Sequence, residues 1–307
     1  MTAARADSRP PPRIPLRAIA LILGSVLCFT LLDTTVKFLT QLYPVPLLVW
    51  ARWGVQMLVL LLWLGPTMGR GLLKTARPKL QLLRGGILLC SSVSFVTALK
   101  YLPLAEATAI NYSTPIMVAL MAAWILDEKL TRARIGFVLA GFAGMLLIVR
   151  PGSMILTGAA LLALAAAGFY ATFQILTRKL AGEDPRVTLF YPALIGTVAM
   201  TAVVPWMEMP AQMPWPHLVL ILVGGLLGTL GHFLFILAFR RAPASGLAPF
   251  TYMQIVWATL IGWLVFGQFP DPFTLAGMGV IAGSGLLIAL HERRRAQPPT
   301  QDPTAID

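Results

Sequence analysis

The chain has 307 residues, of which 57% are hydrophobic and 12% charged, with a formal net charge of +12. A soluble globular domain carries about 25% charged residues, so composition excludes a soluble fold. Most Lys and Arg residues lie in short loops between apolar runs, which points to membrane topology and anionic headgroups and away from nucleic acid.

Residues 1–15, rich in Pro and Arg, read as a disordered cytoplasmic tail. The apolar run that follows ends near Leu39, longer than the hydrophobic region of a signal peptide. It has no small-residue cleavage site and carries Asp33 and Lys37, so it reads as a retained helix. Membrane spans are predicted at 17–39, 46–64, 82–100, 104–126, 135–149, 155–177, 187–206, 217–239, 243–266 and 272–290. The stretches Pro151–Thr177, Val187–Met207, Met209–Phe239, Ala242–Pro270 and Pro272–His291 carry no charged residue. Each has room for the about 20 apolar residues that cross a bilayer. Span five is short, with Arg134 and Arg150 placed to snorkel at its ends. Residues 292–307 read as a second disordered tail. The fold class is therefore all-α integral membrane, with ten transmembrane helices.

With the N-terminus inside, nineteen Lys and Arg residues fall in inside loops and tails, and only Lys100 and Arg150 fall outside. That bias places both termini in the cytoplasm of a multi-pass inner (plasma) membrane protein. Cys28 and Cys90 read as packing residues, and His217, His232 and His291 are far apart. No metal site and no cofactor is expected.

The chain also repeats itself at an offset of about 140 residues. Gly85 matches Gly225, Phe95 matches Phe235 and Tyr112 matches Tyr252, while the Ala98–Pro103 stretch matches Ala238–Pro243. After one extra residue, Gly136 matches Gly277 and Gly144 matches Gly285. The two repeats are read as 16–150 and 151–291, with five spans each. Five is odd, so the second repeat is inverted relative to the first. Inverted repeats are a mark of secondary transporters, with the substrate near the midplane between the halves.

Within 105–151, an Asn-Tyr-Ser-Thr-Pro motif is followed by an Ala/Leu run, Asp-Glu-Lys-Leu-Thr and a Gly-spaced helix ending Ile-Val-Arg-Pro. Asp-Thr-Thr-Val-Lys-Phe at 33–38 precedes Val-Trp-Ala-Arg-Trp at 49–53. These residues resemble the drug/metabolite transporter superfamily in its ten-helix EamA-domain branch, over about 16–291. The sequence departs from the pattern after helix nine, where Gln268 stands in place of the usual acidic residue. The resemblance implies export or uptake of amino acids, nucleosides, vitamins or related solutes. It also implies a central cavity lined mainly by helices 1, 3, 4, 6, 8 and 9.

Asp33, Lys37, Arg52 and Glu106 fall in one layer toward the outer face of the first repeat. Intramembrane charges usually pair, so this layer is read either as a structural ion-pair network or as a gate. Asn111 and Gln254 fall near mid-depth on repeat-related spans, next to Tyr112 and Trp257, and each span carries a proline, Pro115 or Pro249. With His232, these are the candidate substrate-binding residues; His232 is either a proton-coupling group or a packing residue. The GxxxG spacings Gly224–Gly228 and Gly279–Gly283 suit close helix packing or a homodimer interface. The expectation is a transporter that moves a small polar metabolite, such as an amino acid, by alternating access, with export favoured over uptake. A membrane-embedded enzyme and a lipid-linked flippase stand as alternatives. The first lacks recognisable catalytic spacings, and the second needs a lateral opening between helices.

Overall fold

The structure is a computed structural model that describes residues 15–125, 132–149, 157–180, 182–207, 212–239, 241–242, 247 and 250–295. Most of both tails, Asp127–Lys129, Arg150, Arg240 and Pro249 lie outside the described residues. Eleven α-helices are described, and no strand is present among the described residues. They are α1 (Leu16–Leu39), α2 (Val45–Met68), α3 (Pro78–Tyr101), α4 (Leu104–Asn111), α5 (Thr114–Ile125) and α6 (Arg132–Val149) in the first repeat. The second holds α7 (Thr157–Lys179), α8 (Pro185–Val203), α9 (Trp215–Phe239), α10 (Met253–Phe266) and α11 (Pro272–Arg295). Six segments are long and apolar enough to cross a bilayer unaided, and Ile135–Ile148, Met253–Phe266 and Pro272–Ile288 are shorter apolar helices. The last helix continues to Arg295, into the segment read as tail.

Two spans depart from the sequence reading. Span four is two helices, α4 and α5, interrupted at Tyr112 and Ser113. Pro115 has no N–H to offer the Asn111 carbonyl, and the Thr114 hydroxyl donates to that oxygen at 2.7 Å instead. Span nine is interrupted at Tyr252, with residues 250–251 helical before it and α10 after it. The two breaks fall at repeat-related tyrosines, 140 residues apart.

The packing has the symmetry of the repeat. α1 packs on α9, and α3 packs on α7, which is the same pairing with the repeats exchanged. α2 meets α8, and α6 meets α11, each pair joining equivalent spans. Single contacts follow the same rule. An added Cβ at Gly85 would meet the Ile195 side chain, and one at Gly225 would meet Val55; Val55 and Ile195 are themselves 140 residues apart. Ser25 Oγ donates to the Gly231 carbonyl at 2.8 Å, and Ser91 Oγ donates to the Ala166 carbonyl at 2.9 Å. Ser91 and Gly231 are again separated by 140 residues.

Small residues allow this approach, although only one of the two GxxxG pairs takes part. Gly224 and Gly228 lie against Leu32 of α1, while Gly279 and Gly283 have no neighbour within 4 Å of an added Cβ. A close backbone crossing joins α6 and α11, where an added Cβ at Gly277 would sit 2.6 Å from the Gly144 carbonyl oxygen. At the start of α11, the Asp271 carboxylate accepts the Phe273 and Thr274 amides at 2.9 and 3.2 Å, with Pro272 in the first turn.

The Gly277→Ala variant should lower the thermal unfolding temperature in detergent, by about 1–3 kcal/mol of stability, because a methyl group there forces the crossing apart. Gly279→Ala should leave it unchanged or raise it slightly. Equal effects of the two substitutions would contradict the crossing.

Candidate functional site

The two broken spans meet. The Tyr112 and Tyr252 rings lie 5.2 Å apart between centroids, tilted by 50°. The Tyr112 hydroxyl donates to the Thr251 carbonyl at 2.7 Å and also contacts Gln254 Oε1 at 3.0 Å. The other end of that amide, Gln254 Nε2, donates to Asp33 Oδ2 at 3.4 Å. A polar chain thus runs from Asp33 on α1, through Gln254 on α10, to Tyr112 at the end of α4, and so joins the two repeats.

Arg52 of α2 is the counter-charge that acts on Asp33. Its Nη1 donates to Ser92 Oγ at 3.3 Å, its guanidinium lies 5.1 Å from the Trp53 ring centroid, and its Nε is buried without a hydrogen-bond partner. Lys37 is 5% exposed, and its ammonium donates to the Leu99 and Leu102 carbonyls at 3.0 and 2.5 Å. It caps the C-terminal end of α3, where the carbonyls lack intrahelical donors and the helix dipole favours a cation. Glu106, in the first turn of α4, is the acid that acts on Lys37. Within the layer read from the sequence, Arg52 therefore lies in electrostatic reach of Asp33, and Glu106 in reach of Lys37.

The other sequence candidates are spread around this centre. Asn111 is half-buried at the end of α4, and its carbonyl takes the Thr114 hydroxyl. Trp257 lies one turn beyond Gln254, with its indole Nε1 buried and without a hydrogen-bond partner. His232 Nδ1 contacts the Gly228 carbonyl of its own helix at 2.8 Å, and its ring stands edge-on to Phe29 at 4.9 Å. No group of three His, Cys, Asp or Glu residues able to hold a metal occurs among the described residues.

Two residues of this region are absent from the sequence reading. Arg84 lies inside span three yet is 5% exposed. Its Nε donates to Thr177 Oγ1 at 2.7 Å and its Nη1 to the Thr188 carbonyl at 2.8 Å, with the guanidinium 4.3 Å from the Phe173 ring centroid. Thr188 precedes Pro192 by four residues, so its carbonyl is the one that this proline deprives of an intrahelical donor. Tyr170, stacked 5.6 Å from Phe173, lies within electrostatic reach of both Arg84 and Arg52.

Comparison with known proteins identifies the chain. The model of the EamA-like transporter family matches residues 16–150 and again 157–290. The chain belongs to the EamA-like transporter family. Among its relatives is an S-adenosylmethionine uptake transporter of Rickettsia bellii, 28% identical over 228 residues, covering 74% of this chain and 77% of that protein. Riboflavin transporters of Rhizobium johnstonii and Vibrio cholerae are 28% and 26% identical and cover 94% and 92% of this chain, and 96% of each of those proteins. A solved crystal structure superimposes with a TM-score of 0.62 at 20% identity, over 91% of this chain and 99% of that one, which shows the shared fold. As an EamA-like transporter, the chain is a multi-pass membrane protein that transports small molecules, and the family points away from an enzyme.

Arg84→Leu leaves the Thr188 carbonyl without its donor, at an expected cost of about 1–3 kcal/mol. Pro192→Ala returns an N–H at position 192 to that carbonyl, so Arg84→Leu should cost less in its background. Thermal unfolding of the two single variants and the double variant tests this, and additive losses would count against the assignment.

Proposed function

We propose that this EamA-like transporter moves a small polar metabolite across the inner membrane by alternating access, with substrate bound where the two broken spans meet. The observation that carries the reading is the Tyr112–Gln254 hydrogen bond across the repeat interface, next to the Asp33–Arg52 couple. Interrupted helices at depth belong where the backbone lines a site between repeats. A polar solute needs a few placed hydrogen-bonding groups in a mostly apolar surround. Tyr112, Gln254, Asp33 and Arg52 supply these groups, and the Tyr112–Tyr252 pair adds aromatic faces. In this reading Asn111, Trp257 and His232 complete the walls, and the couples of Asp33 with Arg52 and of Lys37 with Glu106 gate the outer side.

S-adenosylmethionine and riboflavin, named for the relatives, both carry a polar fused ring system, which suits a tyrosine-lined site. We take this class of solute ahead of the amino acids expected from sequence. The rickettsial relatives are named for uptake, which favours import over the export expected from sequence. The bias of positive residues supports cytoplasmic termini, with the basic loops on anionic headgroups. The open Gly279–Gly283 face of α11 is available to lipid or to a second copy in a homodimer.

A second reading has its own observation. An apolar groove of about 460 Å³ lies between α10 and α11, with exposed Val256, Trp263 and Phe269 on its rim and Tyr252 at its inner end. A lipid-linked substrate would enter there.

In proteoliposomes, uptake of labelled S-adenosylmethionine or riboflavin should be saturable, and the transported compound should raise the protein's thermal stability. Tyr112→Phe and Gln254→Ala should each raise the apparent KM by about tenfold, near the ~1.4 kcal/mol worth of a lost hydrogen bond, with membrane insertion intact. Unchanged KM in both variants would contradict the site. Scrambling of a fluorescent lipid without uptake of either solute would select the second reading.

A further inference from the structure

Resting on that transport reading, the polar chain across the repeats carries a further inference about what drives the cycle. Gln254 Nε2 faces Asp33 Oδ2, and Gln254 Oε1 faces the Tyr112 hydroxyl. An amide is a donor at one end and an acceptor at the other. With Asp33 ionised, the amide N–H must face the carboxylate, as it does here. The Tyr112 hydroxyl then has one proton and two acceptors, the Thr251 carbonyl and Gln254 Oε1. If Asp33 takes up a proton, its O–H donates to Oε1 of a turned amide. The amide N–H then donates to the Tyr112 oxygen, and the Tyr112 O–H serves the Thr251 carbonyl alone. Each donor then has one acceptor. The chain therefore has two hydrogen-bonded arrangements, which differ by one proton and one rotation of the amide.

We propose that Asp33 is a proton-binding group of this transporter, and that the Gln254 amide of the second repeat, by turning over, passes its protonation state to Tyr112 of the first. The proton comes from a hydronium ion, whose O–H bond breaks as the carboxyl O–H forms and which leaves as water; no other covalent bond changes. Asp33 is partly exposed.

The surroundings suit such a switch. Arg52 of α2 is the counter-charge of the ionised form, and Tyr112 is in electrostatic reach of Asp33. On its own helix, Lys37 is one turn away and is bonded to the end of α3. α4 also brings Glu106, which acts on Lys37; α9 brings His232, bonded within its own helix; and Tyr252 stands at the head of α10. α3 contributes Arg84 and Lys100 toward its two ends. The bistable element is the contact between two repeats that must separate and rejoin in an alternating-access cycle.

Infrared difference spectroscopy on the purified full chain, stepped from pH about 5 to about 9, tests the proposal without any substrate. The wild type should show a protonated-carboxyl band that disappears as pH rises, accompanied by a change in a side-chain amide band. Asp33→Asn should lose the carboxyl band. Asp33→Glu, which keeps a carboxyl should the first variant misfold, should retain a displaced one. In Gln254→Leu the carboxyl band should remain but shift, because its acceptor is gone, and the amide change should vanish. Absence of any carboxyl band lost in Asp33→Asn, or an unshifted band in Gln254→Leu, would overturn the proposal. Neither result bears on whether the protein transports a metabolite, and failed uptake assays leave this readout standing.

Discussion

In a bilayer, every backbone carbonyl that loses its intrahelical donor must find another inside the protein. Three places among the described residues show how that demand is met, and the responses organise the centre of the molecule. At Pro115 the Thr114 hydroxyl answers for the Asn111 carbonyl. At Pro192 the Arg84 guanidinium, reaching from α3, answers for the Thr188 carbonyl. At Tyr252 the chain breaks again, and the Thr251 carbonyl receives the Tyr112 hydroxyl from the other repeat. The first response is local. The other two cross between the repeats, so satisfying the backbone also joins the halves.

Repeat symmetry then determines what else meets there. Because α1 pairs with α9 and α3 with α7, the spans that follow α3 and α9 are brought together at equivalent points, and their tyrosines touch. The symmetry is one of backbone path rather than chemistry. Asp33 corresponds to Phe173, and Arg52 to Pro192, at the same offset. The first repeat thus supplies the charges, and the second supplies the amide and the kink. The frame is symmetric, and the groups placed on it are not.

Much of this architecture was legible in the chain. Charge-free runs marked the five spans of the second repeat, and the register of Gly85 with Gly225 agrees with a pair of contacts the structure shows, to Ile195 and Val55. The breaks were legible only as prolines, because a Pro marks a freed carbonyl but not where the helix yields. Arg84 was missed for a physical reason. An Arg a few residues inside a span can snorkel, and only the tertiary position of the Thr188 carbonyl, 104 residues away, shows that it turns inward. Tyr170 was missed because a lone tyrosine in a span has no periodicity to mark it. Spacing alone also did not separate Gly224–Gly228, which packs on α1, from Gly279–Gly283, which faces open space. Asp33 and Gln254 were singled out separately, since a hydrogen bond across 221 residues has no local signature.

The central claim is that substrate binds where the two broken helices meet. Determining the structure of the protein with its transported metabolite bound tests it most directly. The metabolite should lie within hydrogen-bond distance of Tyr112 or Gln254, between the end of α4 and the start of α10, with the Tyr112–Gln254 bond exchanged for bonds to it. A metabolite bound elsewhere, with that bond and the Tyr112–Tyr252 contact unchanged, would contradict the claim.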